Sequence, residues 1–259
     1  HKIIKNNTAT MHLHFKNRNI TLDLDPDMFV IDRDELDRYV LSLGKAKLML
    51  NTVVKEIVRG EKPKIVTNRG TFEFDYIIGA DGARSFVRKS LKLSDPEFKL
   101  GMFVYDKEKS TSHIVDIWPT HGGFAWKIPR GHNAEYGIFE NPSAASKEFK
   151  RFYKKGGKVY SSLIPQGLVT SHDKHIALCG DASGLTKPWS GGGVIWTLHS
   201  ADILVKTFPD FDKYNSELRK FFDPMIFFSK LTARIGTVIG DVFPWIVPKK
   251  VAFDSDWMF

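Results

Sequence analysis

Two stretches of this sequence combine the residue types that hold an anionic, hydroxyl-rich ligand. In residues 175–205 an apolar run, Ile176 to Cys179, reads as a short buried strand. Asp181 follows at its end, then a loop closed by Gly191, Gly192 and Gly193, then a helix from Val194. Glycines at a helix start let the backbone approach a ligand closely, and the helix N-terminus offers free N–H groups and about half a positive charge. Such a terminus suits an anion or an electron-rich ring edge, and Asp181 can accept hydrogen bonds from sugar-type hydroxyls. The plainer reading is a tight strand-to-helix turn with a surface acid. An acid and three glycines in one turn favour the ligand. In residues 75–91, Tyr76 to Ile78 form a second buried strand that exits through Gly79-Ala80-Asp81-Gly82 into a basic helix, Ser85 to Leu91. Arg84 and Arg88 lie one helical turn apart, which alone fits a solvated face, and Asp81-Gly82 alone fits a turn. Together at a strand's carboxyl end they suit a diphosphate or ribityl chain.

Other reactive residue types are weaker signals. His12 and His14 share one strand face and have metal-ligand spacing, but no acid or thiol stands beside them in sequence, so a solvated face is expected and no metal site. Cys179 is the one cysteine and lies in an apolar strand, which excludes an internal disulfide and reads as a buried structural thiol. Phe124, Trp126 and Ile128 alternate along a strand stopped by Pro129, so all three face one way. They form either ordinary sheet core or the apolar wall of a ligand cavity.

The elements that position these residues follow from patterning. Residues 11–15 and 20–24 read as a hairpin around Lys16 to Asn19. Asp32-Arg33-Asp34-Glu35 has the form of a capping box, opening a helix that carries Leu36, Val40 and Leu43 and stops at Gly44. Leu48 to Ile57 reads as a strand, and Lys64–Thr67 with Thr71–Phe74 as a hairpin. From about residue 100 to 164 short strands (102–105, 113–118, 123–128, 135–139, 159–164) alternate with turns and one helix over 143–153, the pattern of an antiparallel sheet inserted between the two glycine motifs. After Val194 the chain reads as helical to its end. Its apolar stretch 221–248 is broken by Lys230, Arg234, Asp241, Pro244 and Pro248, so it falls short of a spanning helix and fits packing over a greasy pocket or a bilayer surface.

At 259 residues and 42% apolar composition the chain can bury a real core as one or two domains, and its net charge of +8 favours anionic partners. Zinc-finger spacing, RNA-binding aromatic motifs and long basic blocks are lacking, which places nucleic acid behind phosphate-bearing substrates and a membrane surface. No signal-peptide pattern occurs, so a cytoplasmic setting is expected, with peripheral contact at the inner membrane face.

The run Gly79-Ala80-Asp81-Gly82-Ala83-Arg84-Ser85 followed by Arg88 resembles the second flavin-binding motif of the glutathione-reductase-type FAD monooxygenases, and Gly180-Asp181-Ala182 resembles their third. The continuation from Leu185 through Thr186, Lys187, Pro188, Trp189 and Ser190 to Gly193 is similar to the geranylgeranyl reductase branch, archaeal enzymes that hydrogenate the isoprenoid chains of membrane lipids. Phe124 to Pro129 resembles that branch's Tyr-x-Trp-x-Phe-Pro motif, with Phe124 and Ile128 as departures that keep the aromatic wall but lose a hydroxyl. The resemblance covers roughly residues 25–205. It implies an α/β (α+β overall) fold: an incomplete FAD-binding Rossmann-like domain of residues 1–98 and 165–205, an antiparallel-sheet substrate domain of 99–164, and a helical C-terminal region of 206–259. The cofactor it implies is FAD, reduced by NAD(P)H or ferredoxin. Arg33 would contact its diphosphate and Val54 its adenine. Asp81 and Gly82 would support it, Asp181 would hold the ribityl or diphosphate region, and Pro188, Gly191, Gly192 and Gly193 would line the isoalloxazine. Phe124, Trp126, Ile128 and Trp189 would meet the prenyl chain, and no residue stands out as proton donor.

The family's FAD domain begins with a strand, a Gly-x-Gly-x-x-Gly turn, a helix and a ribose-binding acid. None of these occurs in the 259 residues, which start at His1 rather than Met. The resemblance therefore implies either a preceding portion outside this sequence or a truncated relative with weakened FAD binding. The implied reaction is reduction of isolated C=C bonds of a prenyl lipid, for which a dry tunnel and close placement matter most. An oxygen-using FAD hydroxylase is the nearest alternative, and a non-catalytic flavin- or prenyl-lipid-binding paralogue the alternative from another class.

Overall fold

The structure, a computed structural model, describes residues 3–24 and 29–242, the side chains of 232–242 excepted. It is a mixed α/β chain, with fourteen strands and five α-helices among the described residues, and divides into two compact units. One unit draws on residues 1–46, 100–162 and 232–259; the other is Lys47–Lys99 with Leu163–Leu231.

The first unit is built on a seven-stranded sheet. Its strands are β2 (Thr10–Phe15), β3 (Arg18–Asp23), β9 (Glu97–Asp106), β10 (Ile114–Pro119), β11 (Phe124–Pro129), β12 (Ala134–Glu140) and β13 (Tyr160–Gln166), in the order β13-β9-β12-β11-β10-β2-β3. The β2–β3 hairpin forms as its alternation predicts, with Phe15 opposite Arg18. Its place differs from expectation. β2 pairs in parallel with β10, so residues 10–23 extend the sheet of 100–162 rather than the domain assigned to 1–98. The reason is pairing: β2 offers a free edge to β10, and a strand edge is satisfied only by another strand. Helix α3 (Pro142–Phe152) covers one sheet face by burying Phe149 among Val104, Ala125 and Ile138.

A two-stranded ribbon of β1 (Ile4–Asn7) and β4 (Phe29–Ile31) precedes α1 (Arg33–Leu43). Asp32 caps α1 by accepting from the Glu35 amide at 3.2 Å, as expected. The reciprocal half of the capping box is not made: the Asp32 amide donates to Ile3 O at 2.7 Å, and Glu35 pairs with Arg38 at 3.2 Å. The helix forms where expected and carries Leu36, Val40 and Leu43, and none of its residues is buried.

In the second unit β5 (Val54–Val58), β6 (Lys64–Thr67) and β7 (Gly70–Glu73) form an antiparallel sheet, while β8 (Ile77–Gly79) pairs in parallel with β14 (Ile176–Leu178). The strand expected over 48–57 shortens to 54–58, because residues 48–53 find no partner strand and Asn51 adopts a positive φ of 55°. Helices α2 (Phe86–Ser90) and α4 (Val194–Thr207), with α5 (Phe211–Val242) as far as Leu231, complete the unit. Trp196 of α4 packs with Phe211, Tyr214, Leu218 and Phe222 of α5 in one core, and the Tyr214 hydroxyl donates to Leu178 O at 2.9 Å, anchoring β14. The helical reading after Val194 holds through 242; residues 243–259, including the end of the apolar stretch, lie outside the described residues. Among the described residues no helix is long and apolar enough to cross a membrane.

Candidate functional site

Parallel pairing of β8 with β14, Ile77 beside Ile176 and Gly79 beside Leu178, brings both acid-bearing turns to one edge. In open parallel sheets ligands collect at the carboxyl ends of strands. Two glycines make the close packing possible there. A Cβ on Gly79 would lie 2.7 Å from the Val87 side chain of α2, and one on Gly180 would lie 2.8 Å from Thr197 of α4, so each strand exit runs against its helix. Gly180 also holds φ +62°, a left-handed conformation that favours glycine.

The first turn is used differently from the expectation for its arginines. Arg84 is exposed, whereas Arg88 is wholly buried. The Arg88 guanidinium donates to Ala83 O and Ala182 O, each at 2.7 Å, and to Asp95 Oδ1 at 2.6 and 3.0 Å. It therefore ties the two motifs together with four of its five N–H groups. The i, i+4 spacing that suggested one ligand-facing pair separates instead one exposed and one buried arginine. Asp81 is likewise a structural anchor. It accepts from the Ser85 hydroxyl at 2.6 Å and from the Phe86 and Val87 amides at 2.6 and 3.1 Å, capping α2. Gly82, at φ +81° with open space where a Cβ would stand, makes the turn.

The second turn retains the form of a cradle. β14 ends in a 3-10 turn, Gly180–Ser183, and the chain reverses through residues 184–193 into α4. The loop is closed by Lys187 N donating to Gly192 O at 2.9 Å and Gly191 N to Lys187 O at 2.8 Å, with Gly191 at φ +72°. Its base is held by Gln166, which donates to the Thr186 hydroxyl at 2.6 Å. Pro188 and Trp189 form the turn's tip, half-buried, and Trp189 meets Trp196 edge-on at 6.0 Å. The residue before α4 is Gly193, which has no side chain with which to cap the helix. A Cβ on Gly193 would stand 2.8 Å from Asp181 Oδ1. The acid thus lies directly over the helix start, in space that only glycine leaves open. A helix terminus that begins at a glycine, a carboxylate beside it and a glycine-lined floor fit the flavin's ring edge and polyol chain, so the residues present suit FAD.

Phe124, Trp126 and Ile128 belong to the other unit. They share the sheet face opposite α3, since Ala125 between them packs in the α3 core. Phe124 lies 5.8 Å from Trp126 and 5.5 Å from Phe139. The same face carries Phe103 and Tyr105, with Tyr160 stacked on Phe103 at 5.2 Å. Sequence reasoning missed two residues here. Gly137 sits under Trp126, where a Cβ would come 2.2 Å from the indole. Glu135 accepts from Trp126 Nε1 at 3.0 Å and pairs with Arg130 at 3.1 Å. Burial pushes the Glu135 carboxyl above its ordinary range, against the opposing pull of Trp126 and Arg130. The alternation of β12 with β11 was the signal that could have placed Glu135 beside Ile128.

The two remaining candidates, Arg33 and Val54, stand on other elements. Arg33 opens α1 in the first unit and makes an exposed contact with Asp37 at 3.4 Å. Val54 opens β5, opposite Thr67, and is exposed.

No family model matches the chain. Over 208 residues it is 25% identical to digeranylgeranylglycerophospholipid reductase 1 of Methanosphaera stadtmanae, a match covering 67% of this chain and 51% of that one. The chain is similar in sequence to a reductase of geranylgeranyl lipids. It spans about half the length of the curated relative it matches. A geranylgeranyl bacteriochlorophyll reductase-like protein from Thermoplasma acidophilum shares the fold at TM-score 0.74 and 16% identity, covering 91% of this chain and 72% of that one. A tetracycline destructase follows at TM-score 0.65 and 17% identity (91% and 75% covered), and the flavin-dependent halogenase CmlS at 0.62 and 17% (92% and 51% covered). These likenesses establish the fold that places a glycine cradle and an aromatic sheet face in one chain.

Proposed function

We propose that this chain serves an FAD-dependent reductase that saturates C=C bonds in the geranylgeranyl chains of isoprenoid lipids. The observation that carries the reading is the Asp181–Gly193 arrangement, an acid held beside a helix start in space that a Cβ at Gly193 would fill. When bound, FAD supplies the hydride chemistry. The chain's residues supply placement: Asp181 accepts hydrogen bonds from the polyol, Gly191 to Gly193 allow the backbone against the ring edge, and the α4 terminus favours negative charge there. Arg88 ties this turn to the first one through Ala182 O, and Asp81 and Gly82 shape that first turn. The face of Phe124, Trp126 and Ile128 offers a prenyl chain apolar contact and excludes water, the main contribution a protein can make to reducing an alkene with no carbonyl to polarise.

Under this reading the substrate is a prenyl lipid, the electron donor NAD(P)H or ferredoxin, and the net charge of +8 favours peripheral contact with an anionic membrane surface. Nucleic acid is not a partner. The test is incubation of the flavin-loaded protein, in the longest form its gene encodes, with a geranylgeranyl lipid and reductant. Mass gain of hydrogen pairs in the chain supports the reductase; added oxygen supports a hydroxylase instead; flavin binding with unchanged lipid leaves a binding protein.

A further inference from the structure

The parallel pairing of β2 with β10 creates a cluster that neither strand contains alone. Asp116 pairs with His12, and His14, two residues on, shares their face. Asp116 Oδ1 lies 2.7 Å from Nε2 of His14 and 3.6 Å from Nδ1 of His12. One nitrogen of each ring and one carboxylate oxygen all fall within 4.8 Å of one another. This face is the one α3 covers, opposite the Phe124–Trp126–Ile128 wall, so the cluster is separate from the aromatic face described above.

The hydrogen bonding around His14 points to an occupant. Its Nδ1 lies 3.1 Å from the amide oxygen Oδ1 of Asn19, which only accepts, so Nδ1 carries the hydrogen. Nε2 then directs its lone pair at the Asp116 carboxylate 2.7 Å away. Two acceptors at that distance hold together only with a proton or a cation between them. The His14 ring is further fixed by stacking on Trp118, 4.7 Å away and 13° from parallel. A metal ligand oriented through its second nitrogen by an oxygen acceptor is the usual arrangement of a histidine–metal site. Around a tetrahedral zinc with bonds of about 2.0–2.2 Å the ligand atoms stand about 3.3–3.5 Å apart, and the two measured separations of 2.7 and 3.6 Å bracket that value.

We infer that His12, His14 and Asp116 form a binding site for a divalent transition-metal cation of the zinc class. Two imidazoles and one carboxylate are the donors that borderline cations prefer, whereas magnesium and calcium prefer oxygen alone. His14 and Trp118 line an open groove of about 750 Å³, by which a cation can reach the His14 side of the cluster. The cation would clamp residues 10–15 to residues 114–119 across their shared ladder.

The test is calorimetric titration of ZnCl₂ into chelator-stripped, tag-free protein at neutral pH, with folding checked by circular dichroism. The expected result is one-to-one binding that weakens roughly tenfold or more in His14→Ala and in Asp116→Asn, as loss of one ligand of three implies. His172→Ala, an exposed histidine of the other unit, should leave binding unchanged. Should both site variants unfold, the absorption spectrum of CoCl₂ added to the unaltered protein decides. Strong ligand-field bands of four- or five-coordinate cobalt support the site, and the weak bands of hydrated cobalt overturn it. Zinc binding indifferent to both site substitutions, or absence of one-to-one binding, also overturns it.

Discussion

The Arg88 guanidinium donates to Ala182 O at 2.7 Å, joining residues 94 positions apart in sequence. Around this bond the two glycine motifs become one structural object. The same side chain is completely buried and also holds Ala83 O and Asp95. Replacing it with Met keeps apolar volume but leaves two carbonyls without their donor. Unsatisfied buried acceptors cost about 1–3 kcal/mol each, so Arg88→Met should lower unfolding free energy by roughly 3 kcal/mol or more. Arg84→Met, on the exposed side of the same helix start, should change it by less than about 0.5 kcal/mol. Urea denaturation of the two variants measures both. Equal effects would mean that Arg88 is not the staple described.

At Gly193 the separation of folding from binding is sharper. Its φ of −112° suits any residue, so Ala carries no backbone strain there. The added Cβ would come nearest to Asp181 Oδ1, at 2.8 Å, the end of a side chain that can swing aside, and then to the Thr186 methyl at 3.3 Å. Gly193→Ala should therefore change stability by no more than about 1 kcal/mol. It should weaken flavin binding by roughly tenfold, through displacement of an acceptor from its place over the helix start. Gly191→Ala, at φ +72°, adds strain of about 1–2 kcal/mol and should cost stability instead. Thermal unfolding and fluorescence titration with FAD, run side by side, distinguish the two glycines.

What could be read along the sequence was whatever local chemistry enforces. Asp32 caps its helix because a short acceptor before a helix start has one good use, and the β2–β3 hairpin follows from its alternation. The strand, acid, glycine and helix order of 176–207 was legible for the same reason. Arg88 was not, because a spacing of four in a helix is the same whether the residue faces solvent or the Ala182 carbonyl. His12 and His14 looked unsupported because their acid, Asp116, stands 102 residues from His14 and arrives only through the parallel pairing of β2 with β10. The boundary of the sheet domain was missed for that same pairing. Strand partners far apart in sequence leave no periodic trace.

Carboxylates on the two faces of the large sheet should give stability opposite dependences on pH. Burial holds the Glu135 pKa above its ordinary 4.5. The folded state therefore keeps that proton longer than the unfolded chain, and this contribution is present below pH 4.5 and is lost as pH rises through the raised folded value. Asp106 is the reverse. Lys155 and Tyr153 donate to it and hold its pKa below 3.8, so its contribution is present above that pH and is lost as pH falls through the lowered folded value. In denaturation series across mild acid, Glu135→Gln should flatten the decline on the rising side, and Asp106→Asn the decline on the falling side. A Glu135→Gln curve parallel to the unaltered protein's would show that Glu135 titrates normally.

Gly137 and Trp126 test the aromatic face. The two are directly opposite in the β11–β12 ladder, and the indole lies across the glycine, with only 2.2 Å between its ring and an added Cβ. Gly137→Ala must push the indole off the sheet and break its hydrogen bond to Glu135, now 3.0 Å long. Overpacking of this kind costs about 1–3 kcal/mol. Trp126→Phe is the milder change, keeping a ring and removing only the donor, and should cost about 1 kcal/mol. If this face receives a prenyl chain, Gly137→Ala should raise the dissociation constant for a geranylgeranyl lipid analogue by roughly tenfold, as displacement of a central aromatic contact does. Trp126→Phe should alter it far less, because the chain meets ring surface and not the indole nitrogen. Fluorescence titration with the analogue measures both. Equal affinity in the unaltered protein and Gly137→Ala would mean that the lipid binds elsewhere.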